Sequence, residues 1–427
     1  MQPRGRSKPI STRALRAYIR AMPQADLLLV NAAQVVPVAG GVVVPLENGA
    51  IALRNGRIAE VGPTSELQKR WQASRIVDLS GKTVVPGFVD PHTHLVYAGC
   101  RHHELEMRLA GKTYLEILEA GGGIRYTVEH TRRASRQELL EGLLQRLEIF
   151  LSQGVTTVEI KSGYGLTRDH EIKMLEVVQE ARKYAVQDLV PTFLGAHVVP
   201  SEYRHRRREY VDLVIAMLPE VRDLAEFVDV FADEGAFTLE ETQRILEAAR
   251  DLGFGLKVHA EELAHTGASR LAAELGAVSA DHLDLVTDED LLALKEAGTV
   301  AVLLPSVTFF LFSSHYAPAR KMLDLGIPVA LSTDHNPGSS PAYSQIFVAT
   351  LGTFLLHMTP AEVLVAITYR AAQALRRHEQ IGSLEPGKRA DLVILDAPSY
   401  VHLVYDLARP LVRAVFKDGK QVYGEPL

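Results

Sequence analysis

The sequence predicts an α/β protein: a (β/α)8 TIM-like barrel with a small β-sandwich domain built from both chain ends. Three observations lead there. Between residues 83 and 383, eight Val/Ile/Leu-rich runs recur, each running into polar residues and then a helix-length segment. That rhythm belongs to βα units and a parallel sheet. The flanking segments instead carry short β-branched runs broken by Asn-Gly and Asp-Gly pairs. The length of 427 residues exceeds one ordinary domain, yet suits a barrel of ~250 residues before insertions plus a satellite.

In order, the barrel strands are "TVVPGFVDPHTH", "VTTVEIKSGYG", "VPTFLGAH", "FVDVFADE", "GLKVHAEE", "AVSADHLD", "VAVLLPSV" and "IPVALSTDHNPGS". Unbroken apolar runs are expected of strands buried on both faces. A doubly wound open sheet is the alternative, but no Gly-x-Gly-x-x-Gly follows the first strand. Gly121-Gly122-Gly123 lies in a long excursion after it and reads as a flexible loop. From Leu27 to Pro63 the pairs Asn48-Gly49 and Asn55-Gly56 predict hairpin turns. At the other end "ADLVILDAP" and "VRAVFKDGKQVY" are strands, the second folded over Asp418-Gly419. Neither end can bury its apolar face alone, so the two share one small domain. The expected divisions are an N-terminal extension at 1–24, the small domain at 25–82 and 384–427, and the barrel at 83–383.

Hydrophobic residues make up 47% and charged residues 23% of the chain, an ordinary soluble balance. A net charge of −6 gives no basic excess to neutralise phosphates, so nucleic acid is not an expected partner. Cys100 is the only cysteine and no apolar leader opens the chain, from which a cytoplasmic location is expected. Arg4, Arg6, Lys8, Arg13, Arg16 and Arg20 precede the first acid, Asp26. This basic stretch reads as a helical extension in preference to a transit peptide. Val300 to Phe312 is broken by Pro305, Ser306 and Thr308 and is too short for a membrane span; a buried strand and its exit loop are expected.

Polar residues gather at the C-terminal ends of the predicted strands, where barrel enzymes assemble their sites. The first strand ends in His92-Thr93-His94, whose two imidazoles project to one side of an extended chain. The fifth ends in His259, the sixth in His282 and the eighth in Asp334. Strand ends of one barrel converge, so these groups become neighbours. Imidazoles plus a carboxylate suit zinc or iron with room for a water. A divalent metal lowers the pKa of such a water from ~15.7 to near 7. Glu262, three residues past His259, is the candidate general base and proton shuttle.

The segments "PGFVDPHTHLVYAG", "KVHAEE", "SADHLD" and "ALSTDHNPGSSP" resemble the amidohydrolase superfamily. Within it, "EIKSGYGL" and "TFLGAHVVP" resemble the branch that opens the ring of 4-imidazolone-5-propanoate to N-formimino-L-glutamate in histidine degradation. The likeness runs from about Leu27 to the C-terminus. It implies a metal-dependent hydrolase and a homodimer, with one zinc or iron ion per subunit held by His92, His94, His259 and Asp334. It implies substrate contacts from Arg101, Tyr164, His197 and Glu262, and substrate or product contacts from Tyr164, Asn336, Gly338 and Ser339. Catalysis would then fall to Glu262, His282 and Asp334, with His282 polarising the ring carbonyl; sequence leaves open whether it also touches the metal.

Each role has a physical reading. Arg101 offers a planar fork matched to the propionate carboxylate. Tyr164, in a flexible setting between Gly163 and Gly165, could reach the same group, with Tyr114 a weaker candidate. His197 would hydrogen-bond the ring. The fourth strand, "DVFADEG", lacks the lysine that binuclear members carbamylate, which fits one metal. Members commonly place an acid before the arginine, and here Cys100 stands there. His335 is assigned no role, and the basic run from His205 to Arg208 reads as a solvated face. Cytosine and guanine deaminases resemble the same layout, but their neutral rings give Arg101 nothing to hold.

Overall fold

The computed structural model describes residues 22–112, 116–117 and 120–427. The basic stretch at 1–21 and Tyr114 lie outside the described residues. Both chain ends meet in one eight-stranded sheet. The N-terminal part supplies β1 (Gln24–Val35), β2 (Leu46–Arg54), β3 (Arg57–Pro63), β4 (Gln72–Asp78) and β5 (Thr83–Pro86). The barrel strands are β6 (Phe88–Asp90), β7 (Val155–Lys161), β8 (Asp188–Ala196), β9 (Phe227–Ala232), β10 (Gly255–Ala260), β11 (Ser279–His282), β12 (Val300–Leu303) and β13 (Val329–Leu331). The C-terminal part returns as β14 (Leu392–Leu395), β15 (Val412–Lys417) and β16 (Lys420–Tyr423).

The small sheet runs β16-β15-β14-β5-β1-β2-β3, with β4 beside β1. Alternate residues serve different cores, as period-two side chains must. Leu392 and Ile394 pack with Leu29, Ile51 and Phe416, whereas Val393 and Leu395 join the barrel's core. On the other face, Leu28 and Ala50 lie with Leu67 of the helix Thr64–Arg70 and with Trp71, which caps it. Asn55-Gly56 and Asp418-Gly419 turn hairpins with positive φ at both residues. Asn48-Gly49 does not. β2 passes through it, and the β1 register slips between Leu29 and Ala32 with Asn31 at φ 57° and Asn48 at φ 48°. The same dipeptide chemistry serves an irregular bend in a ladder.

The eight barrel strands are parallel and adjacent in chain order. One expectation is corrected. The run read as the first barrel strand is divided, because Thr83–Pro86 pairs with β14 and β1 in the small sheet and Phe88–Asp90 alone enters the barrel. The boundary expected at 83 therefore cuts through the small sheet. The cause is Pro86-Gly87: a Cβ at Gly87 would collide with the Thr156 side chain, so only glycine lets the chain cross between sheets here.

Between β13 and β6 the ring is closed at its mouth. Thr93 bridges His335, and the His94 amide donates to the His335 carbonyl at 2.9 Å. Thr333 Oγ1 donates to Asp90 Oδ2 at 2.7 Å, and Ser332 Oγ donates to both Asp90 and the His92 carbonyl. Helices on the outer wall start at reciprocal caps, Ser135 with Glu138, Thr238 with Glu241, Thr287 with Asp290 and Thr359 with Glu362. After β12 the expected exit loop is the helix Pro305–Phe310. Among the described residues no helix is long and apolar enough to cross a membrane.

Candidate metal centre and substrate pocket

His92 and His94 leave β6, His259 lies on β10, and Asp334 follows β13 with φ 46°. A ligand nitrogen from each of the three histidines lies within 4.8 Å of the others. Asp334 Oδ1 stands 3.4 Å from His92 Nε2 and 3.2 Å from His94 Nε2. All four groups are buried. His92 Nε2, His259 Nε2 and Asp334 Oδ1 find no hydrogen-bond partner in the protein. Buried polar atoms left without partners are costly. With the three imidazoles in one ligand-distance group and Asp334 against two of them, a divalent cation fits, whose charge would satisfy these atoms together. Burial, with Lys161 and the neighbouring imidazoles, holds His92 well below the ordinary histidine pKa, and burial with His259 and Lys161 does the same for His94. Neutral imidazole is the ligating form. Burial also pushes the Asp334 carboxyl up to about 7, a value a bound cation would lower.

Beneath this point lies a layer that sequence reasoning missed. His92 Nδ1 is 2.5 Å from Asp281 Oδ2 and His259 Nδ1 is 3.1 Å from Asp229 Oδ1, which turns each Nε2 to the centre. Lys161 Nζ lies 2.7 Å from both Asp229 and Glu159, and Lys257 Nζ donates to the Pro91 carbonyl at 3.0 Å. Burial alone would raise the Asp229 carboxyl, yet His259 and Lys161 hold it well below the carboxylate range. The signal was present in the strands. "VEIK", "VDV", "LKVHA" and "SADH" carry charge at alternate positions of otherwise apolar runs, where barrel interiors favour branched aliphatics.

Over the centre stand Glu262 and His282. His282 ends β11 at φ 77°, and neither ring nitrogen has a hydrogen-bond partner. Its ring shares a ligand-distance cluster with His92 and Asp334, and its Nε2 is 3.5 Å from Glu262 Oε2. Burial first, then Asp334, Asp284 and Asp233, raises the Glu262 carboxyl well above its ordinary range. The Glu262 amide donates to Asp233 Oδ2 at 2.7 Å, which fixes the backbone carrying it.

His197 stacks on His94 at 5.1 Å between ring centroids and sits 3.0 Å from the Gly163 carbonyl through Nδ1. Tyr164 lies 5.7 Å from His94 and 5.4 Å from His197 by the same measure. The flexible setting expected for Tyr164 is corrected: Glu171 accepts from the amides of Gly163, Gly165 and Leu166 at 3.0, 2.8 and 2.7 Å, which pins the loop.

Arg101 also differs from expectation, because its fork is already engaged. Nε and Nη2 donate to the two Glu104 oxygens at 2.8 and 2.9 Å, while Nη1 lies where a Cβ on Gly338 would fall. Asn336 is occupied too. Its Oδ1 accepts from the amides of Gly338 and Ser339 at 2.8 and 2.7 Å, and its Nδ2 donates to the Asp334 carbonyl at 2.8 Å. The turn that follows Asp334 is thus built by its own side chain. His335 faces away, 3.1 Å from the Tyr97 hydroxyl and 2.9 Å from the Ala342 carbonyl. Cys100 is exposed, and in the basic run Arg206 and Arg207 pair with Glu209 and Glu241.

Comparison with known proteins agrees with this layout. The amidohydrolase family model matches residues 83–422, and a bacterial imidazolonepropionase-like composite domain matches 49–71. An imidazolonepropionase of Symbiobacterium thermophilum is 48% identical over 95% of this chain and 99% of its own. One from Geobacillus kaustophilus is 47% identical over 93% and 98%. Among solved structures, an adenosine deaminase of Xanthomonas campestris with bound zinc superposes with a TM-score of 0.73 at 23% identity, covering 94% of this chain and 93% of its own. That likeness concerns the fold. Full-length agreement near half identity with the other two carries the assignment, and the chain belongs to the imidazolonepropionases of the amidohydrolase family.

Proposed function

We propose that this chain hydrolyses the cyclic amide of 4-imidazolone-5-propanoate to N-formimino-L-glutamate, the ring-opening step of histidine degradation. The observation that carries the reading is a metal-ligand cluster with an arginine on the loop beside it. His92, His94 and His259 form one ligand-distance group that Asp334 joins through His92 and His94, and Arg101 stands beside the turn that follows Asp334. A hydrolysable ring with an anionic arm fits both.

His92, His94, His259 and Asp334 would hold one zinc or iron ion. Such an ion, when bound, acidifies a water and draws charge from a carbonyl oxygen. Glu262 accepts a proton from the water that attacks the ring carbonyl carbon, and delivers it to the ring nitrogen as the carbon–nitrogen bond breaks. Its raised pKa suits both halves of that transfer. His282, kept neutral by burial and by His259 and His94, donates a hydrogen bond toward the carbonyl oxygen as negative charge grows there. Tyr164 and His197 wall the ring, and Arg101 takes the carboxylate. A cytoplasmic homodimer completes the proposal, checked by fractionation and sedimentation.

The test supplies freshly generated 4-imidazolone-5-propanoate and quantifies N-formimino-L-glutamate, with chelator-treated protein alongside. Product from the metal-replete protein and none from the stripped protein is expected. No product from metal-replete protein overturns the assignment, and elemental analysis decides between zinc and iron.

A further inference from the structure

Glu104 belongs neither to the metal centre nor to the proton transfer, yet its carboxylate is among the most heavily engaged near the pocket. It lies on the short helix His103–Leu109 and is 1% exposed. Arg101 reaches it through Nε and Nη2 at 2.8 and 2.9 Å, Arg108 through Nη2 at 3.2 Å, and the Gly123 amide at 2.7 Å. Burial would raise this carboxyl, but Arg101, Gly123 and Arg108 together hold it below its ordinary value.

Three features give the cluster a direction. Two guanidiniums face the one Glu104 carboxylate, so among these three groups positive charge outnumbers negative. A site of that sign is completed by an anion. Arg108 also donates through Nη1 to the Gly338 carbonyl at 3.1 Å, joining this loop to the turn after Asp334. Two glycines of the triplet seat the acid: a Cβ on Gly122 would stand 2.9 Å from Glu104 Oε1, and Gly123, which donates its amide, adopts φ 72°. Gly122 and Gly123 are thus fitted against the acid.

We propose that Glu104 is a positioning residue for the substrate's carboxylate. It orients Arg101 and, through Arg108, fixes the Gly338 turn against it, so that one preset cationic edge awaits the propionate. The inference rests on the proposed reaction and deepens it by assigning the acid and the second arginine to recognition of the anionic arm. Preset geometry matters because ordering a long side chain at binding would otherwise weaken affinity.

The experiment compares 4-imidazolone-5-propanoate with its propionamide, whose arm is neutral, in wild type, Glu104→Gln and Arg108→Met. Glu104→Gln is expected to raise KM for the acid about tenfold, the scale of one charge-assisted hydrogen bond, with kcat moving far less. The acid-to-amide ratio of kcat/KM should fall by a similar factor while metal content and Tm hold. Arg108→Met should lower the same ratio by about threefold. An unchanged ratio in folded, metal-loaded Glu104→Gln overturns the proposal, and so does an equal loss on both substrates, which marks a purely structural role. Should Glu104→Gln fail to fold, an unchanged ratio in Arg108→Met overturns it equally. Wild-type protein inactive on both substrates would instead remove the reaction itself.

Discussion

The two ends of the proposed site are held by different means. At the metal end, orientation comes from neighbouring strands: Asp281 of β11 aligns His92 and Asp229 of β9 aligns His259, with Lys161 of β7 beneath. At the proposed carboxylate end it comes from loops, with Glu104, Gly123 and Gly338 brought together from distant parts of the chain. Strand-borne groups inherit the rigidity of the barrel, whereas loop-borne groups depend on each other. Perturbing the first end should therefore damage metal retention and turnover, and perturbing the second should damage substrate affinity.

The largest effect should come from the metal itself. Chelation should take turnover to background, and reloading zinc or iron should restore it, measured by product formation against bound metal. Next comes Glu262→Gln, which should keep its metal and lose turnover by ~10²-fold or more. The pH profile sharpens this. In the proposed role Glu262 accepts a proton only when ionised, so activity should be full above its pKa and be lost as pH falls through it. Because burial and three nearby carboxyls raise that pKa, the acid limb of kcat/KM should lie above the ~4.3 of a free glutamate, and it should vanish in the Gln variant. A limb at the ordinary value would break the assignment.

Asp281→Asn tests how far the strand partners matter. The His92 ring would lose its carboxylate while keeping an amide of equal size. Metal affinity, read by competition with a chromophoric chelator, should fall by ~10 to 100-fold, and KM measured with metal in excess should hardly move. A KM effect as large as the metal effect would blur the two ends into one.

Much of this was legible in the sequence, and the reason is periodicity. His92-Thr93-His94 declares a shared face because strand side chains alternate, and His259, His282 and Asp334 were found because parallel strands end at one rim. Glu104 was not legible, because in "RHHELEMRL" it looks like any surface helix acid; its burial is imposed by glycines more than a dozen residues later. Asp229, Asp281 and Lys161 fall between these cases. Their alternation was visible, but only the closed barrel pairs them across strands. The misplaced hairpin at Asn48-Gly49 and the divided first strand have one cause: local residue chemistry permits a turn or a crossing without stating which strands will flank it.

At the carboxylate end, Gly338→Ala should press its new Cβ onto Arg101 Nη1. Glu104 holds the other edge of that guanidinium, so the arginine has little room to yield. KM should rise by roughly five- to tenfold, the order of one weakened charged hydrogen bond, with metal content unchanged. Loss of metal in this variant would show that the turn supports Asp334 more than Arg101.

The smallest expected effect is at position 100. Cys100 is exposed and adjacent to Arg101, at the position where the family resemblance implies an acid. Cys100→Asp would add a carboxylate beside an arginine already engaged on two nitrogens by a buried acid. An exposed charge is screened by water and contributes ~0 to 1 kcal/mol to a pair. KM for 4-imidazolone-5-propanoate should therefore change by less than about threefold, and the Tm by little. A tenfold change in KM would mean that Arg101 takes its orientation from its own loop, and that Glu104 is not what aims it.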